Sequence, residues 1–154
     1  MVFAGDEIGL TGTDGEHSRT PFPWDRPDIW DLATLDAYRS LLRLRRRHVA
    51  LRRGGLRWVH AGADSLTFLR EHPQGSVLVH VARADHPPVR LPLAALPLGA
   101  RAAGPGAGAA GAHTQGVHLP ETLYGEPPVR EDADTVTLPA RGPAAHVYDL
   151  GPSS

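Results

Sequence analysis

The sequence lacks cysteine, lysine and any long apolar run. Without cysteine, the chain has no disulfide bond, thiolate metal site or cysteine nucleophile. No stretch approaches the roughly 18 apolar residues of a membrane-spanning helix, and no signal peptide is visible. All 16 basic residues are arginine, which codon usage in a GC-rich genome explains, and the net charge of −1 favours neither nucleic acid nor an anionic membrane. We therefore expect a cytoplasmic protein without nucleic-acid or membrane partners.

The first third of the chain has the pattern of a strand, a loop and a helix. Met1–Ala4 is a short apolar run without polar alternation, which predicts a buried strand. Residues 6–30 are rich in glycine, proline and aspartate, which predicts a long loop. Apolar residues at spacings of three and four then predict a helix over residues 31–53, ended by Gly54.

After Gly54 the chain changes to short apolar segments that turn residues separate, a spacing typical of an antiparallel sheet or sandwich. The predicted strands are Leu56–Ala61, Ser65–Glu71, Ser76–Ala82, Val89–Leu93, Thr135–Leu138 and Ala145–Leu150. Residues 99–112 are almost entirely glycine and alanine, which cannot bury enough apolar surface to hold one conformation. We predict a flexible insertion there.

Several stretches, in the expected order, resemble the α-amylase family of glycoside hydrolases, and in particular its maltodextrin- and α-glucoside-acting branch. Val2–Leu10 resembles the family's eighth-strand segment, and Arg19–Asp25 resembles its Arg-x-Pro-Met-x-Trp loop, with Phe22 where methionine is usual. Tyr38–Arg52 resembles the eighth barrel helix. The remaining matches, to the family's C-terminal domain, are Asp64–Glu71, Leu123–Gly125 and Pro139–Pro143.

The resemblance implies a mainly β fold in two parts. Residues 54–154 would form a C-terminal antiparallel β-sandwich, called domain C, that carries the flexible insertion at 99–112. Residues 1–53 would be the last strand, loop and helix of a (β/α)8 barrel. Because a complete barrel takes about 250 residues, the resemblance implies that seven of its eight strands would lie outside this chain. We expect the C-terminal fragment of an enzyme, from a misassigned start or a frameshift, with the rest of the barrel as its partner.

The family's reaction is retaining glycoside hydrolysis, which needs a carboxylate nucleophile and a carboxylic acid about 5–5.5 Å apart. The resemblance places both catalytic groups, and a third stabilising aspartate, upstream of Met1. We therefore expect no catalytic residue in this chain, no activity from it alone, and starch-derived oligosaccharides such as maltooligosaccharides as substrates of the intact enzyme. The alternative is a non-catalytic β-domain that binds carbohydrate or a protein partner.

Arg19 is the candidate substrate-binding residue, because the resemblance places it where relatives contact sugar hydroxyls away from the cleaved bond. Its acidic partner would be Glu16 or Asp14. In the alternative interpretation, Arg19 forms an ion pair that only orders the loop, and both interpretations stay open. The adjacent carboxylates Asp6 and Glu7 point to opposite sides of an extended chain, which favours a structural role.

Other side chains favour ordinary structural interpretations. Trp24 and Trp30 could stack on sugar but are better explained as core, and Trp58 is expected in the sandwich core. The nine histidines show no metal-ligand spacing, so we expect no metal and no cofactor. The arginine cluster from Arg43 to Arg53 could bind phosphate, but a solvated helix end explains it better.

Overall fold

The computed structural model describes residues 2–12, 15, 21–98 and 119–152. It divides into two compact units, Met1–Leu44 and Arg45–Ser154, which we call the N-terminal unit and the β-unit. The division lies within a helix and therefore precedes the boundary predicted at Gly54. The glycine and alanine insertion predicted at residues 99–112 lies outside the described residues. No helix in the described ranges is long and apolar enough to cross a membrane.

The N-terminal unit begins with turns instead of the predicted strand. Residues 2–4 form no strand, and Val2 and Phe3 are exposed. A buried strand of the parallel type needs neighbouring strands, and the described residues of this unit contain none. A 3-10 turn follows at Asp6–Ile8, with Ile8 buried. The backbone carbonyl of Ile8 accepts a hydrogen bond from the amide of Asp31 at 3.0 Å, which connects the turn to the start of the helix.

The single predicted helix is two helices in the structure, α1 (Leu32–Arg47) and α2 (Val49–Arg53). Asp31 caps α1, since its Oδ1 accepts hydrogen bonds from the amides of residues 33 and 34 at 3.0 and 3.1 Å. His48 adopts an extended conformation, with φ −97° and ψ 112°, and this interrupts the helix. Gly54 ends α2 as predicted, and its amide donates to the carbonyl of Ala50.

The described part of the β-unit contains eight strands, and all six predicted ones are confirmed. The bounds are β1 Gly55–Ala61, β2 Ser65–His72, β3 Gly75–Ala82, β4 Val89–Pro92, β5 Glu121–Tyr124, β6 Val129–Arg130, β7 Thr135–Leu138 and β8 Ala144–Gly151. A five-stranded sheet has the order β1-β2-β3-β8-β5, and a three-stranded sheet the order β4-β7-β6. Every pairing is antiparallel. The mainly β, antiparallel fold class is therefore confirmed.

The two sheets share one hydrophobic core. Leu69, Leu78 and Tyr148 of the large sheet are fully buried, and they cluster with Val136 and Leu138 of the small sheet. The short strands alternate buried and less buried positions, as strands with one covered face do. The β-unit is thus a sandwich of two antiparallel sheets.

Trp58 does not belong to this core, contrary to the prediction. It is 57% exposed, and its ring contacts the edge of Phe68 on the neighbouring strand at a centroid distance of 5.6 Å. Trp58 and Phe68 are paired residues of β1 and β2. Leu56 and Leu66 lie at alternate positions of the same two strands and are also exposed. Because side chains two apart share a face, these four residues form an apolar patch on the outer face of the large sheet.

Candidate functional site

The loop before α1 holds a cluster of three aromatic rings. The Phe22 and Trp24 rings lie 4.1 Å apart between centroids, tilted by 34°. Trp30 meets both rings edge-on, at 5.5 Å from Phe22 and 6.4 Å from Trp24. The indole N–H of Trp30 donates to the carbonyl of Pro23 at 3.1 Å, which fixes its ring against the loop. The cluster therefore holds itself together through edge contacts and one indole hydrogen bond.

Trp24 and Trp30 differ in how they are placed. Trp24 is 76% exposed, so the prediction that it is core is wrong, whereas Trp30 is half-buried. A large exposed indole backed by two other rings offers a flat apolar surface to solvent. Beside it, the exposed side chains of Arg26 and Asp28 form an ion pair, in which the guanidinium and the carboxylate approach to 2.8 Å.

The acidic pair at the start of the chain has the structural role expected of it. The Asp6 carboxylate accepts a hydrogen bond from the amide of Phe3 at 2.8 Å. The Glu7 carboxylate accepts one from the amide of Gly5 at 3.1 Å. Gly5 has φ 94°, a left-handed conformation that favours glycine. Both carboxylates therefore hold the turn, and each acts on a different backbone amide.

The predicted substrate-binding residues Arg19, Asp14 and Glu16 lie outside the described residues. The structure neither brings them together nor separates them. Their assignment stays a prediction. The described part of the same loop contributes the aromatic cluster of Phe22, Trp24 and Trp30.

A buried histidine network in the β-unit was not predicted. His80 on β3 is fully buried and lies between its cross-strand neighbours, Thr67 on β2 and His146 on β8. The His80 Nδ1 lies 2.9 Å from the Thr67 hydroxyl. Its Nε2 lies 3.1 Å from the Pro139 carbonyl and 3.3 Å from the His86 Nε2.

The hydrogen-bond partners and burial together indicate the protonation of this network. A carbonyl can only accept, so the His86 Nδ1, 2.8 Å from the Pro87 carbonyl, carries a proton and its Nε2 accepts. The His80 Nε2–H therefore donates to the Pro139 carbonyl and to the His86 Nε2. Because burial favours the neutral His80 ring, its Nδ1 accepts from the Thr67 hydroxyl. Both imidazoles are neutral in this arrangement.

His146 completes the group. Its ring stacks on His80 with centroids 5.9 Å apart, and its Nδ1 accepts a hydrogen bond from the amide of Glu126 at 2.9 Å. The proton must then lie on its Nε2, which is buried and has no hydrogen-bond partner among the described atoms. Burial lowers the pKa of both histidines, that of His80 to about 4, because burial penalises the imidazolium form. Repulsion from His86, when that ring is protonated, lowers the His80 pKa further, and the hydrogen bond to the Pro139 carbonyl opposes the shift.

The histidines are spread along the sequence, so the only signal for the network was that several predicted strands each carry one. The pairing of β3 with β8 decides which of them meet. Within the described residues, no group of three or more histidine, aspartate or glutamate side chains is placed to hold a metal ion.

No family model matches the chain. Among curated proteins, Alpha-amylase 2 of Dictyoglomus thermophilum is 36% identical over 88 residues, which covers 51% of this chain and 15% of that protein. A cyclomaltodextrinase of a Bacillus species is 34% identical over 80 residues, again 51% of this chain and 14% of that protein. The relatives are enzymes of the α-amylase family. The resemblance found in the sequence is thereby confirmed.

Solved structures of the same family match almost the entire chain. Cyclic alpha-maltosyl-(1→6)-maltose hydrolase of Arthrobacter globiformis is 26% identical with a TM-score of 0.59, covering 97% of this chain and 26% of that one. An Anoxybacillus α-amylase has a TM-score of 0.70 at 19% identity, covering 98% of this chain and 28% of that one, and shows the fold alone. The chain therefore spans between about one seventh and little more than one quarter of the α-amylase-family enzymes that it matches.

Proposed function

We propose that this chain is the C-terminal part of a cytoplasmic retaining α-glycosidase that acts on starch-derived oligosaccharides. The observation that carries the proposal is the 36% identity over 88 residues to an α-amylase. The match to a cyclomaltodextrinase supports maltodextrins as the substrate class. In this proposal residues 54–154 are domain C, and residues 1–53 are the end of the catalytic barrel.

We propose further that the catalytic carboxylates belong to a part of the enzyme outside this chain. The reaction needs two carboxyl groups facing one glycosidic bond. Asp6 and Glu7 are each engaged with a backbone amide of their own turn, which suits neither role. The chain alone is then inactive, and its contribution to catalysis is to complete and cover the barrel.

The exposed apolar residues of the N-terminal unit support a barrel as the partner. A helix of a globular protein normally buries an apolar stripe. None of the residues of α1 is buried, and Leu32, Leu41 and Leu42 are exposed. Phe3, in the segment that resembles the eighth strand, is exposed as well. Barrel strands and helices would cover these side chains.

The experiment is a chimera in which this chain replaces the matching C-terminal part of the Dictyoglomus enzyme. Hydrolysis of maltooligosaccharides is measured for the chimera, for the relative truncated at the same point, and for this chain alone. We expect activity from the chimera and none from the other two. Turnover by a clean preparation of this chain alone, lost on Arg19→Ala, would contradict the proposal.

The same chimera tests the proposed substrate contact of Arg19. If its guanidinium binds sugar hydroxyls, Arg19→Ala raises KM and leaves the melting temperature unchanged. Arg26→Ala is the matched control, because Arg26 lies in the same loop and pairs with Asp28. An equal loss of stability in both variants, with no change in KM, would assign Arg19 to loop order instead.

The second candidate function is a non-catalytic carbohydrate-binding β-domain, and the exposed Trp58 beside Phe68 is the observation that favours it. Aromatic faces bind the apolar faces of sugars. Calorimetric titration of the chain with maltoheptaose tests it, with Trp58→Ala as the variant and Trp24→Ala as the control from the other unit. A saturable binding isotherm that is lost in Trp58→Ala supports this function. A titration without binding heat at millimolar sugar excludes it.

A further inference from the structure

The sequence around the α1–α2 connection carries an uncompensated positive charge. Residues 43–53 contain six arginines and no acidic residue. The whole chain, in contrast, has a net charge of −1. Such an asymmetry concentrates a positive field at one place on a nearly neutral molecule. From the sequence alone a solvated helix end is the better explanation of this pattern, so phosphate binding depends on whether the structure forms a concave site there.

A pocket of about 360 Å³ lies in the β-unit between the α1–α2 connection, the β2–β3 turn and the end of β8. Its volume is within the range of about 300–1,000 Å³ typical of small-molecule sites. Arg47, His48 and Arg52 line one side, and Gln74 and Asp149 also line it. The lining further includes Val49, Ala50, Gly75, Val77 and Gly151. The two glycines add no side chain, so the polar side chains of the lining are those of Arg47, His48, Arg52, Gln74 and Asp149.

The two arginines of the pocket are available to a ligand. Arg57, Arg83 and Arg90 of the β-unit each form an ion pair at 2.7 to 2.8 Å with a glutamate or aspartate. Arg47 and Arg52 form no ion pair with any described residue. Their guanidinium groups therefore keep their hydrogen-bond donors for solvent or for a bound anion.

Asp149 is the only carboxylate among the lining residues, and it is already engaged. Its Oδ1 accepts a hydrogen bond from the amide of Gly151 at 3.0 Å. With two guanidinium groups against one carboxylate, the pocket has a net positive charge. A planar guanidinium matches the oxygen spacing of a phosphate, and a doubly charged phosphate is best balanced by two such groups.

We propose that this pocket binds a phosphoryl group, either inorganic phosphate or the phosphate of a small monoester such as a sugar phosphate. Arg47 and Arg52 supply the charge-assisted hydrogen bonds, and Gln74 and Asp149 face the remainder of the ligand. The site is distinct from the aromatic cluster of the N-terminal unit and does not depend on the proposed glycosidase function.

The first test is an NMR titration of the full chain with inorganic phosphate, with glucose 6-phosphate and with glucose. We expect both phosphates to shift the amide signals of Gly75, Gly151 and residues 47–52, and glucose to leave them unchanged. Equal affinity for the two phosphates identifies free phosphate as the ligand, and tighter binding of glucose 6-phosphate identifies a monoester. The absence of saturable shifts from either phosphate would overturn the proposal.

Variants then locate the site. Arg52→Gln is expected to weaken phosphate binding about tenfold, the usual effect of losing one charge-assisted hydrogen bond. Arg53→Gln is the matched control, because it removes the same charge from the same helix at a residue that does not line the pocket. Asp149→Asn removes the opposing charge and retains an oxygen for the Gly151 amide, so it should tighten binding severalfold. Equal losses in Arg52→Gln and Arg53→Gln, or equal binding of a heparin fragment by both, would show a diffuse basic surface and refute the site.

Discussion

The histidine network should make the β-unit sensitive to mild acid. His80 is neutral in the folded chain above about pH 4, because its burial penalises the charged imidazolium form. In the unfolded chain its pKa returns to the ordinary value of 6.5, whereas burial lowers it to about 4 in the fold. Between these two values the unfolded chain binds the proton and the folded chain does not. The contribution of His80 to the free energy of unfolding is therefore complete above about pH 6.5 and is lost as the pH falls through about 4.

The size of the effect follows from the pKa difference. One pKa unit corresponds to about 1.4 kcal/mol, so the full shift of His80 contributes about 3 kcal/mol to the free energy of unfolding. Most of that, about 2 kcal/mol, is lost between about pH 7.5 and about pH 5. For a unit of this size, the melting temperature should fall by about 8 °C. His146, whose pKa burial also lowers, adds in the same direction.

The carboxylates titrate at lower pH, so they do not change the stability between about pH 7.5 and about pH 5. The guanidinium of Arg57 holds the pKa of Glu71 below its usual value. Hydrogen bonds from Thr137 and then Arg90 do the same for Glu131. Because their folded pKa values are depressed, these groups lose their contribution only below the ordinary range of a glutamate. Acid destabilisation above about pH 5 therefore reports on histidine.

The assay is urea unfolding of the full chain, followed by far-UV circular dichroism at the two pH values. The variant is His80→Gln, which removes the titrating ring from the network. His72→Gln is the matched control, since His72 lies at the end of β2 outside the network. We expect the pH-dependent loss to shrink in His80→Gln and to persist in His72→Gln. If His80→Gln loses as much stability on acidification as the unaltered chain, the reasoning is refuted.

Three further substitutions have direct structural expectations. Asp31→Ala removes the cap of α1 and should lower helix stability by about 1 kcal/mol, measured as reduced helical circular dichroism on heating. Leu69→Ala leaves a cavity at a fully buried core position and should lower the free energy of unfolding by about 2–5 kcal/mol in urea titrations. Gly125→Ala places a methyl group against the ring of His146 at a residue with φ 79°, so a loss of about 2 kcal/mol or more is expected. A loss below about 0.5 kcal/mol in any of the three would contradict the contact described for it.

The sequence was sufficient to predict the strands that carry their own apolar pattern. β2, β3, β7 and β8 each contain a continuous or alternating run of apolar residues, and each was predicted within about two residues of its bounds. β5 and β6 were missed because they are short and of mixed polarity. β5, with the sequence Glu-Thr-Leu-Tyr, forms a strand through its pairing with β8. Its local sequence pattern does not predict that pairing.

Other errors arose where local sequence and surroundings disagree. The run at residues 2–4 is apolar enough for a strand, but the described part of its unit supplies no neighbour to pair with. Trp58 is predicted in the core because it lies in a strand pattern, yet its position in β1 puts it on the outer face. His48 gave no sign that it would interrupt a helix, since histidine is an ordinary helix residue.

The candidate sites differ in how much the sequence revealed. The arginine cluster was visible, but the pocket beside it depends on the β2–β3 turn and the end of β8, which lie far along the chain. The histidine network depends on the same long-range pairing. The predicted contact of Arg19 with Asp14 or Glu16 remains a prediction from the family resemblance.

The position of β8 has a consequence for how the chain is made. Of the described strands it is the last to be synthesised, yet it lies inside the large sheet, between β3 and β5. While the chain emerges from the ribosome, β1, β2 and β3 can form a three-stranded meander. Until β8 is present, β5 has no neighbouring strand in the large sheet, and the edge of β3 that includes Leu78 and His80 is unpaired. Closure of the sandwich is therefore delayed until β8 has been synthesised. During that interval the nascent chain is most exposed to mispairing with other chains, and it should depend most on chaperones.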